Sequence, residues 1–246
     1  MMAELIIDVS KWQGKMDWQK AKAAGVSGAM VKVSQGVYED AQWVNNKANC
    51  NLDYKGGYHF LDYFNYVKGN EVAFGQLQAQ KFVAFLEGWH DNLPGALDIE
   101  SNEAWGVINQ SSSPRIMKIA LAFVNQYYSL RGHYPFIYAS TNTVSMKEWT
   151  ITGYQYIFRN FTKCPLWVAN YNNISTPPTG AWLTYTLWQY SSTGDGVKYG
   201  NGVDGSKFVD LNRSIKPLGE IAIKPAGEIT DAEKLAKLWA AHPEIH

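Results

Sequence analysis

Short hydrophobic runs, each closed by polar residues or a turn signal, recur along the whole chain. Runs of this length that are rich in β-branched and aromatic residues are typical of buried β-strands. The pattern predicts eight strands, at Leu5–Asp8, Ala29–Val33, Gly57–Phe60, Ala96–Ile99, Phe136–Ala139, Leu166–Ala169, Thr184–Tyr190 and Phe208–Leu211.

Helical spacing of hydrophobic residues fills several of the intervals between these strands. The clearest helix is predicted at Glu71–Trp89, where the apolar side chains can share one face. A second helix is predicted at Pro114–Leu130, with Ser113 as its N-cap and Gly132 just past its end. Shorter helices are predicted at Trp18–Ala24, Ala41–Asn51 and Thr143–Trp149.

The order of these elements predicts an α/β fold. Strands that alternate with helices favour a parallel sheet. The last connections, Tyr171–Trp182 and Ser191–Lys207, are instead rich in Pro, Gly, Ser or Asp, so the strands that they join can pair antiparallel. We therefore predict an irregular TIM-like β/α barrel with eight strands and fewer than eight helices, regular in its first half and irregular in its second.

The composition changes after the last predicted strand. Residues 1–213 are predicted to form the barrel domain, and residues 214–229, which are rich in Pro and Gly, a linker. Residues 230–246 then predict a C-terminal helical tail, because Thr230 and Glu233 have capping-box spacing. The tail is either a strap packed on the barrel or a docking or self-association element.

Composition and charge narrow the classes of partner. The 22 Lys and Arg residues balance the 22 Asp and Glu residues, so no net field attracts nucleic acid or an anionic membrane. The sequence has no run of about 18 apolar residues, so no membrane insertion is expected. The first residues lack the basic start and long apolar run of a secretory signal, and no signal peptide is expected. Cys50 and Cys164 are expected to be free thiols.

Two acidic residues, Asp98 and Glu100, lie two positions apart at the end of a predicted strand, so their side chains point to the same face. In a β/α barrel that end of the strand opens on the face where catalytic residues gather. Two close carboxylates cannot both ionise easily, which predicts that one pKa is raised and the other lowered. Cleavage of a glycosidic bond needs this division into an acid and a second carboxylate.

Most of the other predicted strand ends carry side chains that suit a sugar. These residues are Asp8, Tyr58, His59, Tyr138, Trp167, Asn170, Trp188, Gln189 and Asp210. Aromatic rings pack against the C–H faces of pyranoses, while acids and amides bind hydroxyl groups. A carbohydrate groove would explain why the chain has 10 Trp and 15 Tyr, although each of these aromatic side chains could instead fill the barrel core.

These strand ends resemble, in order, the signatures of glycoside hydrolase family 25, the N-acetylmuramidases of phage endolysins and bacterial wall hydrolases. The resemblance runs from about Ile6 to Asn212. It is carried by Asp8–Gln13 (DVSKWQ), Gly57–Phe60 (GYHF), Ala96–Glu100 (ALDIE), Ile137–Ser140 (IYAS), Leu166–Tyr171 (LWVANY), Leu187–Tyr190 (LWQY) and Val209–Asn212 (VDLN).

The resemblance implies cleavage of the β-1,4 bond between N-acetylmuramic acid and N-acetylglucosamine in peptidoglycan, without a cofactor. By matching position, Glu100 would be the proton donor and Asp98 its partner carboxylate. Asp8 and Asp210 would be pocket acids that bind substrate and tune the pair. The other substrate-binding positions implied are Tyr58, Tyr138, Trp167, Tyr171, Trp188 and Gln189.

One segment departs from the family pattern, since Lys32 and Gln35 stand where the family more often has an Arg and a Glu. The role of Asp98 stays open between a nucleophile, a base for water and a group that orients the substrate's own N-acetyl oxygen; we favour the third. The resemblance, together with the expected lack of a signal peptide, suggests the setting, a phage endolysin made in the host cytoplasm and then released to the cell wall.

The sequence also bears on two other functions. A non-catalytic wall glycan-binding protein of a phage particle is the alternative, but a pure binder has no need of a crowded carboxylate cluster. An amidase or peptidase is disfavoured because the five histidines do not form a zinc-ligand pattern and neither cysteine has an evident His partner.

Overall fold

The computed structural model describes residues 4–101, 108–109 and 111–223. The strands are β1 (Leu5–Val9), β2 (Val26–Gln35), β3 (Tyr38–Glu39), β4 (Tyr54–Phe60), β5 (Ala96–Asp98), β6 (Phe136–Ser140), β7 (Lys147–Thr150), β8 (Gly153–Tyr156), β9 (Leu166–Ala169), β10 (Leu187–Asp195) and β11 (Phe208–Ser214). The helices are α1 (Trp18–Ala23), α2 (Trp43–Asn49), α3 (Glu71–Leu86), α4 (Ser113–Arg131), α5 (Thr141–Val144) and α6 (Leu218–Ile221), with 3-10 turns at Lys11–Gln13 and Ile157–Phe161.

Eight of the strands close into a barrel. Their order around it is β1, β2, β4, β5, β6, β9, β10 and β11, and β11 pairs back onto β1. The pairs β10–β11 and β11–β1 are antiparallel, whereas the other neighbours in the barrel are parallel. Each of the eight predicted strands corresponds to one strand of this barrel, and the predicted irregular β/α barrel is confirmed.

Some local predictions need correction. The predicted helix at Thr143–Trp149 is wrong, because α5 ends at Val144 and the chain then enters β7 of the β7–β8 hairpin. The helix predicted at Pro114–Leu130 is present as α4, which begins one residue earlier than predicted, at Ser113. Its N-cap is therefore Ser112 rather than Ser113. Gly132 does end that helix, in the left-handed conformation at φ 75°, with its N–H donating to the carbonyl of Tyr128 at 2.8 Å.

The alternation of side chains along the strands separates two hydrophobic regions. One face of each strand packs against the helices, and the rings of Phe82 on α3 and Phe123 and Tyr127 on α4 fill this outer core. The other face points into the barrel, whose lower half is filled by apolar side chains. These are chiefly Ile6, Met30, Leu93, Ala96, Phe136, Leu187 and Leu218. The upper half of the interior is polar.

The segment predicted as a linker is partly built into the barrel. Ser214 ends β11, and Leu218 of α6 is fully buried among the residues at the barrel floor. The backbone N–H of Leu218 donates to the Glu4 carboxylate, and the N–H of Ile223 donates to the carbonyl of Asn92 at 2.7 Å. Residues 214–223 therefore close the floor, and the rest of the predicted linker and the predicted tail lie outside the described residues.

Within the described ranges, Cys50 and Cys164 are buried free thiols, as predicted. None of the described helices combines the length and the apolar character needed to cross a membrane.

Candidate active site

The pair of acids lies at the mouth of the barrel. Asp98 is the last residue of β5, and the N–H of Ile99 donates to the carbonyl of Tyr138 at 2.9 Å, so the extended pairing with β6 continues past Asp98. Alternation therefore sends Asp98 and Glu100 into the barrel and Ile99 into the outer core. Both carboxyl groups line a pit of about 200 Å³ at the C-terminal ends of the strands.

A second pair of acids, Asp8 and Asp210, lines the same pit from directly opposed positions on β1 and β11. Oδ2 of Asp8 accepts hydrogen bonds from Nε2 of Gln189 at 2.9 Å and Nδ2 of Asn212 at 2.7 Å. The two carboxyl groups influence each other directly, and the charge of Asp210 disfavours ionisation of Asp8.

Gln189 connects this pair of acids to two tyrosines. Because its amide nitrogen donates to Asp8, its Oε1 faces the other way and accepts the hydroxyl protons of Tyr138, at 2.8 Å, and of Tyr171. The Tyr138 hydroxyl also contacts Glu100, and this contact favours the ionised form of that carboxyl group.

All four pit acids have raised pKa values. Burial, followed by the nearby charge of Glu100, raises the pKa of Asp98 well above its ordinary value. Burial is also the main cause for Glu100, with the Tyr138 hydroxyl and Lys32 opposing it. Burial and Asp210 raise the pKa of Asp8, while burial raises that of Asp210 to about 6. The predicted division into one raised and one lowered pKa is not found, because desolvation acts on every carboxyl group of the pit.

The two predicted catalytic residues differ in access. Asp98 is only 5% exposed, and its Oδ1 is shut off from solvent without a hydrogen-bond partner among the described residues. Its Oδ2 is therefore the oxygen that a ligand in the pit can reach. Glu100 is partly exposed and lines both the pit and the adjoining cleft. Glu100 thus lies where a bond between two sugars could cross from one space to the other.

Aromatic side chains form the walls of the pit. Tyr58 and Tyr138 meet Trp167 edge to face, with ring centroids 6.1 and 4.6 Å apart. The indole N–H of Trp167 donates to Oδ1 of Asn212 at 2.7 Å, so the ring is fixed by the same amide that binds Asp8. Each of these three aromatic positions is placed in the pit, as the resemblance implied.

Trp188 is a correction to the implied set. It is 2% exposed and belongs to the outer core, where its indole N–H donates to the carbonyl of Asn170 and the Arg213 guanidinium lies 4.0 Å from its ring centroid. The cause is the strand alternation, because Gln189 on the same strand points into the pit and its neighbour must point away. His59 likewise faces outward, stacked on Phe123.

The pit opens on both sides into further cavities at the barrel mouth. On one side, a cleft of about 410 Å³ shares Glu100 and Tyr138 with the pit and includes Tyr171, which is 53% exposed. On the other side, a cavity of about 290 Å³ shares Lys32 with the pit. The three cavities therefore adjoin one another at the barrel mouth, and the acids line the middle one.

Some site residues were not in the predicted set. Asn212 is fully buried between Trp167 and Asp8, and it could have been found because it follows Asp210 by two positions on one strand. Lys32 is a buried cation at the edge of the pit, and its burial lowers its pKa. Trp12, at the pit rim and 68% exposed, lies within the 3-10 turn that the Ser10–Gln13 capping box closes.

Across the described residues, no group of three or more His, Cys, Asp or Glu side chains is arranged to hold a metal ion. The pit instead offers carboxyl groups, amides and aromatic rings. A closed barrel with buried carboxyls in a polar groove at its mouth is the arrangement of a barrel glycoside hydrolase.

Comparison with known proteins agrees with this class. The sequence profile of Glycosyl hydrolases family 25 matches residues 7–198, and the chain belongs to this family. Lysozyme M1 of Streptomyces globisporus is 32% identical over 209 residues, which cover 82% of this chain and 66% of that protein, slightly under two thirds of its length. The N,O-diacetylmuramidase of a Chalaropsis species is 30% identical over 217 residues, covering 81% of this chain and 93% of that protein.

The fold is also shared with solved structures. The bacterial lysozyme from Streptomyces coelicolor superposes with a TM-score of 0.70 at 27% sequence identity, over 90% of this chain and 96% of that one. The likeness thus covers nearly all of a solved chain.

Proposed function

We propose that this protein is an N-acetylmuramidase that cleaves the β-1,4 bond between N-acetylmuramic acid and N-acetylglucosamine in peptidoglycan. The observation that carries the proposal is Glu100, a carboxyl group with a raised pKa at the junction between the pit and the cleft. A glycosidic oxygen at this junction would receive the proton of Glu100, which burial makes easier to retain than on an exposed glutamic acid. The two curated relatives, named as a lysozyme and an N,O-diacetylmuramidase, support the same substrate.

In the proposed mechanism Asp98 acts on the sugar in the pit. Its reachable oxygen can accept a hydrogen bond from the N–H of an N-acetyl group, which would turn the acetyl oxygen towards the anomeric carbon as the leaving oxygen takes its proton. This role needs Asp98 ionised, and Lys32 favours that form against burial and Glu100. The product would be released with retention, so an initially inverted anomer, measured by NMR, would exclude the mechanism.

The assay is digestion of purified cell walls, with new reducing ends and new free amines measured separately. Reducing ends identify a glycosidase, amines an amidase or peptidase, and neither product a binding protein. We expect Glu100→Gln to abolish the release of reducing ends while wall binding persists, and Asp98→Asn to lose at least about 10²-fold. Glu87→Gln and Asp53→Asn make the same chemical changes at exposed positions and should retain activity. An active Glu100→Gln protein would mean that another group donates the proton.

We also infer that the enzyme serves as a phage endolysin, made in the host cytoplasm. The support is the resemblance of its motifs to a family found among phage endolysins and bacterial wall hydrolases. Production inside a susceptible bacterium should cause lysis only after the membrane is permeabilised, and Glu100→Gln should cause none. Lysis without permeabilisation would contradict a cytoplasmic location.

A further inference from the structure

The two cavities that flank the pit differ in chemistry. The cleft beyond Glu100 is lined by hydroxyl and amide side chains that follow β6 and β9, including Ser140, Asn142 and Asn172. Among the described residues that line this cleft, Glu100 alone is charged. The cavity on the opposite side is lined by charges of both signs, from Lys11, Lys32, Glu39, Asp40 and Asp62. We call it the charged side cavity, and it lies between the β2–β3 hairpin and the loop after β4.

The position of Glu100 gives the substrate a direction across the mouth. An acid that protonates the leaving oxygen must lie beside the sugar that departs. Glu100 lines the neutral cleft, so the departing sugar lies there and the sugar that is attacked lies in the pit. In the proposed reaction the departing sugar is N-acetylglucosamine, which is uncharged, and the hydroxyl and amide lining of the cleft suits it.

The sugar in the pit would then be N-acetylmuramic acid, whose lactyl group carries the peptide stem. A stem combines amide carbonyls, carboxylates and, on its diamino acid, an ammonium group. A space that contains both cations and anions can match such a branch, whereas the neutral cleft cannot. The charged side cavity adjoins the pit on the side away from Glu100.

Lys32 forms the wall between the pit and this cavity. It is 8% exposed, and no described carboxylate lies within 4.0 Å of its ammonium group. One N–H donates to Oε1 of Gln35 at 2.9 Å, and the ammonium lies 4.7 Å from the Phe60 ring centroid. A buried cation with no carboxylate in direct contact is costly, and a ligand oxygen could take a further hydrogen bond from it.

Asp40, across the cavity, is also largely buried, at 7% exposure. Its Oδ1 accepts a hydrogen bond from the N–H of Gln42 at 3.0 Å, which an asparagine oxygen could equally accept. The charge of Asp40 can therefore be removed without loss of this backbone contact. Glu39 next to it is exposed at the cavity rim.

We propose that the charged side cavity binds the peptide stem of the muramic acid in the pit, with Lys32 donating to the lactyl carbonyl oxygen and Asp40 facing the ammonium group of the stem. The proposal rests on the muramidase function above and adds the site of the stem. The Lys32 and Gln35 pair, where the family more often has an Arg and a Glu, then belongs to substrate recognition in this chain.

The experiment compares kcat/KM on three forms of one glycan: with intact stems, with stems whose ammonium groups are acetylated, and with stems removed by an amidase. The native chain should have its highest kcat/KM on intact stems. Acetylation should lower this kcat/KM about tenfold, which corresponds to the loss of one charge-assisted contact. Asp40→Asn should cause the same loss on intact stems and no further loss on acetylated stems. Asp53→Asn, an exposed acid far from the mouth, should retain the full preference.

Lys32 gives a separate readout, because the lactyl oxygen is present in all three substrates. Lys32→Met should raise KM on each of them, and Lys32→Arg should restore part of the affinity. Lys22 is an exposed lysine on α1, and Lys22→Met should leave KM unchanged. An Asp40→Asn protein that discriminates as the native chain does would overturn the assignment of the stem. If the native chain releases no reducing ends from walls, the muramidase function itself fails.

Discussion

Replacing Asp210 with Asn should stabilise the protein at about pH 8 and leave its stability nearly unchanged at about pH 4. Burial raises the pKa of Asp210 from 3.8 to about 6, so the folded state holds a proton there more tightly than the unfolded state does. The stability that this proton provides is lost as the pH rises from 3.8 through 6. Asn at this position carries no charge at any pH, and its amide can donate to Asp8.

The magnitude follows from the same pKa. Ionising Asp210 in the folded protein rather than in water costs about 3 kcal/mol at pH values above 6, and this is an upper limit. Relaxation of the pit and the coupling between Asp210 and Asp8 reduce it, so we expect a gain of about 1–3 kcal/mol at pH 8. For a chain of this length each kcal/mol corresponds to about 2–4 °C in Tm. Activity on cell walls should fall in the same variant, because Asp210 lines the pit.

The assay is urea unfolding at both pH values, followed by tryptophan fluorescence. Asp53→Asn removes an exposed acid that pairs with Lys22 and should change stability by no more than about 0.5 kcal/mol at either pH. The reasoning would be refuted if Asp210→Asn gained nothing at pH 8, or gained equally at pH 4, since either result would mean that Asp210 ionises in the pit without penalty.

Two further predictions concern packing. Gly75→Ala should lower the free energy of unfolding by about 1–3 kcal/mol, because the new Cβ would lie 2.2 Å from the carbonyl oxygen of Ile119 on α4. Urea unfolding measures this change, and native-like stability would mean that α3 and α4 can separate at no cost. Trp188→Phe should lower the free energy of unfolding by about 1–3 kcal/mol, because it removes the hydrogen bond to Asn170 and the indole contact with Arg213. Its kcat/KM on cell walls should stay close to native, and a large fall in kcat/KM without loss of stability would place Trp188 in the site.

Alternation along the strands made much of the site predictable. It placed Asp98 and Glu100 on one face, and it could have placed Asn212 beside Asp210 by the same spacing. It also excludes Trp188 from the pit once Gln189 is assigned there, since adjacent residues of one strand cannot both face inward. The family resemblance implied both residues, and the strand geometry removes one of them.

The rest depended on contacts between distant parts of the chain. The burial of Leu218 at the barrel floor cannot be read from a segment rich in Pro and Gly, because it results from the space left between the strands. The strand β7 replaced a predicted helix because Lys147–Thr150 pairs with Gly153–Tyr156 across a tight turn. The raised pKa of every pit acid depends on how far the barrel excludes water, which the spacing of two residues does not determine.

The two layers of the barrel interior have a consequence for engineering. Inside the barrel, the hydrophobic side chains, such as Ile6 and Leu218, pack in the lower layer. The buried carboxyl groups, whose ionisation lowers stability, lie in the upper layer. Redesign of the mouth for a different wall chemistry can therefore begin from a scaffold that tolerates substitutions there. Replacing an acid of the pit should raise the folding stability and lower the activity. The added stability could then compensate for destabilising substitutions in the surrounding loops.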